Sequence, residues 1–197
     1  MRKAEDSKSK PGEWIDLLKD IDTGKNAIDG QWERAGRGVK VKFIQDSRNR
    51  LVMPLSPQGS YQLSVTFVVG SQGTRQAHLI LPMGDTASTF NVAMNGHTNI
   101  VLKNDRVKLR DTILIPGKPV TTEVIVMVKN DQVEITATVD GEKLKPWKGA
   151  LSEIGVNSYW ALKDSQWLAI ATYSSELTVL SARIRMLSGE TKAVTVR

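Results

Sequence analysis

Cysteine is absent from the chain. That excludes disulfides, a thiolate nucleophile and Cys-ligated metals, but it does not fix the compartment, since larger secreted domains also manage without disulfides. Histidine is scarce: His78 and His97 are the two, neither has a second His at metal-ligand spacing, and no zinc site is expected. No apolar run approaches the roughly 18 residues that span a bilayer, and the N-terminus carries charges without an apolar stretch behind them. Neither membrane insertion nor a signal peptide is therefore expected in this chain. Charge of one sign never accumulates. Lys and Arg total 27 against 21 Asp and Glu, a net +6, of which "MRKAEDSKSK" supplies four positive and two negative side chains. Elsewhere the signs are interspersed, without the dense basic stripe of a nucleic-acid binder, so no nucleic-acid partner is expected. Gly-x-Ser-x-Gly, P-loop and dinucleotide fingerprints are missing as well; "GRG" at 36–38 and "GSQG" at 70–73 read as turns.

What is present is a rhythm of two. In "YQLSVTFVVG", Leu63, Val65, Phe67 and Val69 alternate with Gln62, Ser64 and Thr66. Ala77, Leu79 and Leu81 oppose His78 and Ile80, and Phe90, Val92 and Met94 oppose Asn91 and Ala93. Successive side chains leave a pleated strand on opposite sides, so each segment offers one apolar face to a core. "EVIVMVKNDQVEITATVDG" gives the strongest hairpin: an all-apolar strand expected to be covered on both faces, a turn at Asn130-Asp131, an alternating return strand, and a second turn at Asp140-Gly141. "QWLAIATYS" and "LTVLSARIRMLSG" read as two more strands, the latter with Leu180, Ala182, Ile184 and Met186 on one face and Ser181, Arg183 and Arg185 on the other. Only Trp14, Leu17, Leu18 and Ile21 fall at i, i+3, i+4, i+7, which predicts a short N-terminal helix that Gly24 could stop. Residues 1–12 read as a tail or linker, 13–190 as one domain and 191–197 as a C-terminal extension. Many strands on short connections, with no βαβ spacing, predict an all-β fold of two antiparallel sheets packed as a sandwich or jelly roll.

The order "PGKPVTTEVIVMVKNDQVEITATVDGEKLKPWKGALSEIG", then "SYWALKDSQWLAIATYSSELTVLSARIRMLSGE", resembles the C-terminal half of concanavalin A-like lectin/glucanase domains. The likeness is nearest to the branch that includes the 3-keto-disaccharide hydrolase domain. Gly117 before the hairpin, Val139-Asp140-Gly141 after it, then Trp147-Lys148-Gly149 and the closing Ser188-Gly189 carry it, over roughly residues 115–190. The resemblance implies two curved sheets, carbohydrate handled on one face or on the rim loops, and an extracytoplasmic setting. Shared fold is a weak guide to function.

The chemistry of such domains is only partly in evidence. Retaining glucanases of this fold use a Glu-x-Asp-x-x-Glu strand motif to bring two carboxylates to about 5 Å. That motif is missing, and Glu134 reads as a solvent-facing strand charge. No cofactor is expected. Calcium, which lectin-like folds hold on their rims, could draw only on the loop aspartates Asp85, Asp105 and Asp111, a residue type that ordinarily forms turns. Indoles stack on the C–H faces of sugars, which makes the loop residues Trp147 and Trp160 candidate platforms, unless they fold back to seal the sandwich. Trp167 is expected in the core, and Trp14 and Trp32 are expected to pin the N-terminal segment. A second candidate site is the polar strand face of His78, Asn91, Arg183 and Arg185, provided their strands are neighbours. Three functions remain in play: a carbohydrate-recognition module of a larger protein without its own catalysis, a sugar-processing hydrolase, and a protein-interaction scaffold. A groove of Trp and polar groups, converging carboxylates, or a flat apolar patch would discriminate them.

Overall fold

The structure, a computed structural model, describes residues 12–196. The expected tail lies outside the described residues except for Gly12, whose amide donates to the Met186 carbonyl at 3.0 Å.

In chain order the elements are β1 (Ile15–Asp16), α1 (Thr23–Asn26), β2 (Ala27–Asp29), β3 (Trp32–Ala35), β4 (Gly38–Val41) and β5 (Arg48–Val52). There follow β6 (Leu55–Gln58), β7 (Tyr61–Gly73), β8 (Ala77–Met83), β9 (Thr86–Met94), β10 (His97–Val101) and β11 (Arg106–Asp111). The rest are β12 (Val120–Lys129), β13 (Gln132–Val139), β14 (Glu142–Lys143), β15 (Trp147–Ala150), the 3-10 turn η1 (Leu151–Glu153), β16 (Ala169–Tyr173), β17 (Ser175–Met186) and β18 (Glu190–Ala193). A nine-stranded sheet runs β14-β13-β12-β7-β17-β4-β3, with β1 on β17 and β15 on β13, and a seven-stranded sheet runs β11-β10-β9-β8-β16-β5-β2. All described pairings are antiparallel, and β18 pairs with β6 beside the two sheets.

The core lies between the sheets. Leu63, Val65, Phe67 and Val69 from β7, with Val124 and Val126 from β12, meet Ala77, Leu79 and Leu81 from β8 and Phe90 and Val92 from β9. This is the apolar half of the two-residue alternation, and its removal from water is the main drive for the fold. Both expected hairpin turns form. Asn130 takes a positive φ of 54°, and Asp140 and Gly141 take 51° and 77°, the pair of positive angles that a type I′ turn requires.

Three expectations are corrected. The N-terminal helix is not at residues 14–21: Ile15 and Asp16 pair with Ile184 and Arg183 as strand β1, and the one helical turn is Thr23–Asn26, capped by Asp22, with Gly24 inside it. Leu17 and Leu18 are adjacent and both fully buried because the chain bends there, the Asp16 carboxylate accepting from the Leu18 amide at 2.9 Å. Arg34 takes up the carbonyls of Leu18 and Ile21 at 2.7 Å each, which ties this bend to β3. Leu180 does not face Ala182, Ile184 and Met186. The pairing of β17 with β7 shifts register between Val179 and Ser181, a β-bulge that turns Leu180 out to 43% exposure. Finally, β12 is flanked by β7 and β13 but uncovered on its outer face, where Ile125 is half-buried and Met127 exposed.

Candidate functional site

The outer face of the seven-stranded sheet holds the richest chemistry. Alternation on β8 sends Ala77, Leu79 and Leu81 inward, so His78 and Ile80 face out. Register then aligns Asn99, Asn91, His78, Ala171 and Arg50 across five neighbouring strands. The polar members are bonded in sequence. His78 Nδ1 lies 2.5 Å from Asn91 Oδ1, and Asn91 Nδ2 donates to Asn99 Oδ1 at 2.7 Å. Since Asn91 Oδ1 can only accept, His78 Nδ1 carries the proton, and the neutral ring keeps a lone pair on Nε2. Burial, helped by the charge of Arg106 and opposed by the bond to Asn91, pushes the His78 pKa down to about 4. The ring is thus neutral at ordinary pH. His78 Nε2 and the hydroxyl of Thr89, which sits opposite Ile80 on the same face, are buried without a hydrogen-bond partner.

This face is roofed by the segment that connects η1 to β16. The Trp160 indole lies against the His78 imidazole, ring centroids 4.2 Å apart and tilted by 36°. Trp160 also closes a second apolar cluster with Val52, Ile80, Ala87, Ala169 and Ala171, against which Val156, Leu162, Trp167 and Val194 pack. Tyr159 meets Trp160 and Tyr173 edge-on at 5.2 and 5.7 Å. Two arginines grip the backbone on either side of the indole: Arg48 donates to the Tyr159 carbonyl and Arg50 to the Ala161 carbonyl. Both are oriented by Asp29, which accepts from Arg48 Nε at 2.8 Å and from Arg50 Nη2 at 2.8 Å.

His78, Asn91 and Trp160 are therefore brought together; Arg183, Arg185 and Trp147 are not part of this group. The two arginines face out from the other sheet, where their guanidinium carbons sit 5.4 and 4.9 Å from the centroid of the Trp14 ring. Trp14 does hold the N-terminal segment to the sheet in this way, and Trp32 is buried. Trp147 lies in the main core. Its indole covers Gly149, where an added Cβ would come within 2.6 Å of the ring, which is the physical content of the Trp-x-Gly pattern. Trp167 is half-buried against the second cluster. Glu134 is exposed on β13. Asp85 accepts from Ser165 and Gln166, Asp105 accepts from the adjacent Arg106 amide, and Asp111 at the end of β11 accepts from His97 and Lys108 at 2.6 and 2.7 Å, which lowers its pKa, Lys108 most of all. Among the described residues no group of three or more His, Cys, Asp or Glu is placed to hold a metal ion. Asn99, Thr89, Arg48, Arg50 and Asp29 were not singled out from the sequence, although "RNRLV" and "HTNIV" carry the alternation that places Arg50 and Asn99 on a polar face.

No protein-family model matches the chain, and no curated protein matches it by sequence. Solved structures do. The carbohydrate binding module CBM66 from Bacillus subtilis superposes with a TM-score of 0.58 at 10% identity, over 82% of this chain and 95% of that one. Peanut lectin, solved with a nonapeptide, gives 0.59 at 11% identity over 93% and 98% of the two chains. The VIP36 exoplasmic/lumenal domain, in its Ca2+/Man3GlcNAc-bound form, gives 0.58 at 10% over 88% and 89%. The fold is that of the concanavalin A-like lectins. At such identities the likeness concerns the concanavalin A-like architecture and leaves the chemistry to be argued from the residues themselves.

Proposed function

We propose that the chain recognises carbohydrate through the outer face of its seven-stranded sheet, with Asn91, Asn99 and His78 as partners for sugar hydroxyls. The observation that carries this reading is the bonded row of two side-chain amides and a neutral imidazole lying against an indole. Amides both donate and accept, the free Nε2 accepts from a hydroxyl, and the space the indole fills over the imidazole has the breadth of a pyranose ring. A neutral floor also suits a neutral ligand, since no unpaired charge needs to be neutralised. The concanavalin A-like neighbours described as a carbohydrate binding module and as a Man3GlcNAc-bound exoplasmic domain support both the ligand class and an extracytoplasmic setting.

A glycan array of neutral oligosaccharides, followed by calorimetry on any hit, tests the reading. Replacing Asn91 by Ala removes the middle of the row and is expected to weaken binding about tenfold, since leaving buried neutral groups unpaired costs about 1–3 kcal/mol. An array without hits, or an Asn91→Ala variant that binds as wild type does, sinks it.

A further inference from the structure

We infer that residues 155–164 form a lid over the proposed sugar floor, in which Trp160 occupies the ligand's place and Asp29 keeps the lid shut through Arg48 and Arg50. This rests on the carbohydrate reading of the same face and adds its regulation.

The segment is tied down at its two ends; between them it is held by the packing of Val156, Trp160 and Leu162 on the second apolar cluster and by two hydrogen bonds. Ile154 bridges to Leu102 before it, and after it Ser165 donates to the Asp85 carbonyl and Ser56 to the Gln166 carbonyl. Between those points no strand or helix forms. Tyr159, Trp160 and Ala161 use their amides in local turns with Asn157 and Ser158. Among the described residues, the hydrogen bonds from 155–163 to the rest of the fold are the two from Arg48 and Arg50, and they flank Trp160, while Asp164 accepts from the neighbouring Gln166 and Trp167 amides. A segment fixed at both ends, without ladder bonds and with one large side chain fully seated, can open as a unit when that side chain leaves its place.

What it covers points to a ligand. His78 Nε2 and Thr89 Oγ1 are buried with no partner in the closed arrangement. Buried polar groups are ordinarily satisfied, and unsatisfied ones call for an explanation. The indole stacked on the imidazole supplies no hydrogen bond to its Nε2, whereas a saturated ring of similar breadth that carries hydroxyls can. Trp160 thus reproduces the apolar half of a sugar's contact and leaves the polar half empty. The ligand most able to displace it presents one C–H face and a hydroxyl donor toward His78. Because the closed form excludes that ligand, its apparent affinity is reduced by the fraction of molecules that are open.

The latch and the floor are separate residues, which makes the idea testable. Hydrogen exchange read by mass spectrometry on wild type, on Arg48→Gln/Arg50→Gln and on Asp29→Asn, without sugar, reports the lid directly. Amides of 155–164 are expected to exchange at least tenfold faster in both variants, with the β12–β13 hairpin protected as in wild type; that last signal also certifies folding. Titration with mannohexaose, cellohexaose and laminarihexaose then reads the floor, and any of these that binds wild type is expected to bind the latch variants several-fold tighter. Unchanged exchange in 155–164 in two folded variants overturns the lid. Faster exchange with weaker sugar binding also overturns it, because Trp160 and its arginines would then belong to the bound state. Faster exchange with no binding of any oligosaccharide by any form leaves the lid standing and defeats the carbohydrate reading instead.

Discussion

On the nine-stranded sheet the outward residues Gln62, Glu123, Ile125, Thr136 and Thr138 line an open groove of about 390 Å³. On the seven-stranded sheet the outward His78 and Asn91 are each about 1% exposed under the 155–164 segment. Both faces descend from the same alternation of apolar and polar residues. The difference lies in what happens once a face is covered. In the open groove water can satisfy Glu123 and the threonines, so their positions need no mutual agreement. Beneath Trp160 water is excluded, and each polar atom must find a protein partner or stand unsatisfied. The covered face therefore holds a bonded chain and two orphans, a specific arrangement, while the open one holds partly exposed side chains that need no common partner. Specificity in recognition comes from the former kind of surface, although the groove is the more accessible of the two.

The largest expected effect separates the two faces through their tryptophans. Trp160 is buried in the second cluster, and Trp160→Ala should lower stability by about 3 kcal/mol, the lower end for a large aromatic truncated in a core. Trp14, which is half-exposed and held by two arginines, should lose less than about 1 kcal/mol on Trp14→Ala. Chemical denaturation followed by far-UV circular dichroism checks both. Equal losses would mean that the covered face is not energetically distinct, and the contrast between the faces would fall with it.

The same contrast bears on what was legible in the sequence. The sandwich was readable because a strand buried on one face must alternate, and β7, β8, β9 and β13 all do. Two of the misreadings sit where the backbone leaves that rule, and the third, on β12, is a regular strand with apolar residues on its open face. Leu17 and Leu18 mimic a helical stripe because a bend lets neighbours point the same way, and Leu180 is turned out by a bulge that no residue pattern announces. Half of the candidate site was legible for the same reason: His78 and Asn91 occupy the polar phase of their strands. Their register against each other and against Asn99 depends on how strands pair across the sheet, and Arg183, in the same phase on β17, went to the other sheet. The lid was illegible because residues 155–164 have no period at all; their place is set by Asp29 and two arginines distant in sequence, and by Trp160 finding Val52 and Ile80.

A second expected effect sharpens the comparison through pH. His78 has a folded pKa near 4, below its ordinary 6.5, chiefly because burial disfavours the imidazolium. Between those values the unfolded chain takes up a proton that the folded chain refuses. Stability is then full above about pH 6.5 and falls as the pH drops toward 4, at up to about 1.4 kcal/mol per unit and on the order of 3 kcal/mol in all. Urea titrations from pH 7 to pH 4 should show the wild-type decline, and a His78→Gln variant should show a flatter one. A His78→Gln curve as steep as wild type would place the acid sensitivity elsewhere.

The smallest expected effects lie on the open face. Arg185 donates to Gln62 Oε1 from Nε at 2.9 Å and from Nη2 at 2.6 Å, and with Arg183 it stacks on Trp14. These contacts are partly wet, so replacing Arg183 by Ala should cost about 0.5 kcal/mol or less, and replacing Arg185, which also leaves Gln62 without its donor, somewhat more. Neither change should alter the affinity for any oligosaccharide that Asn91→Ala weakens, because their sheet turns away from the row. The two measurements are a denaturation midpoint and a calorimetric titration on each variant. Loss of sugar binding on Arg183→Ala with the fold intact would move recognition to the nine-stranded sheet, where Arg183 stands beside Ser64 and Asp16 in register and the groove lies open to a ligand without any lid to displace.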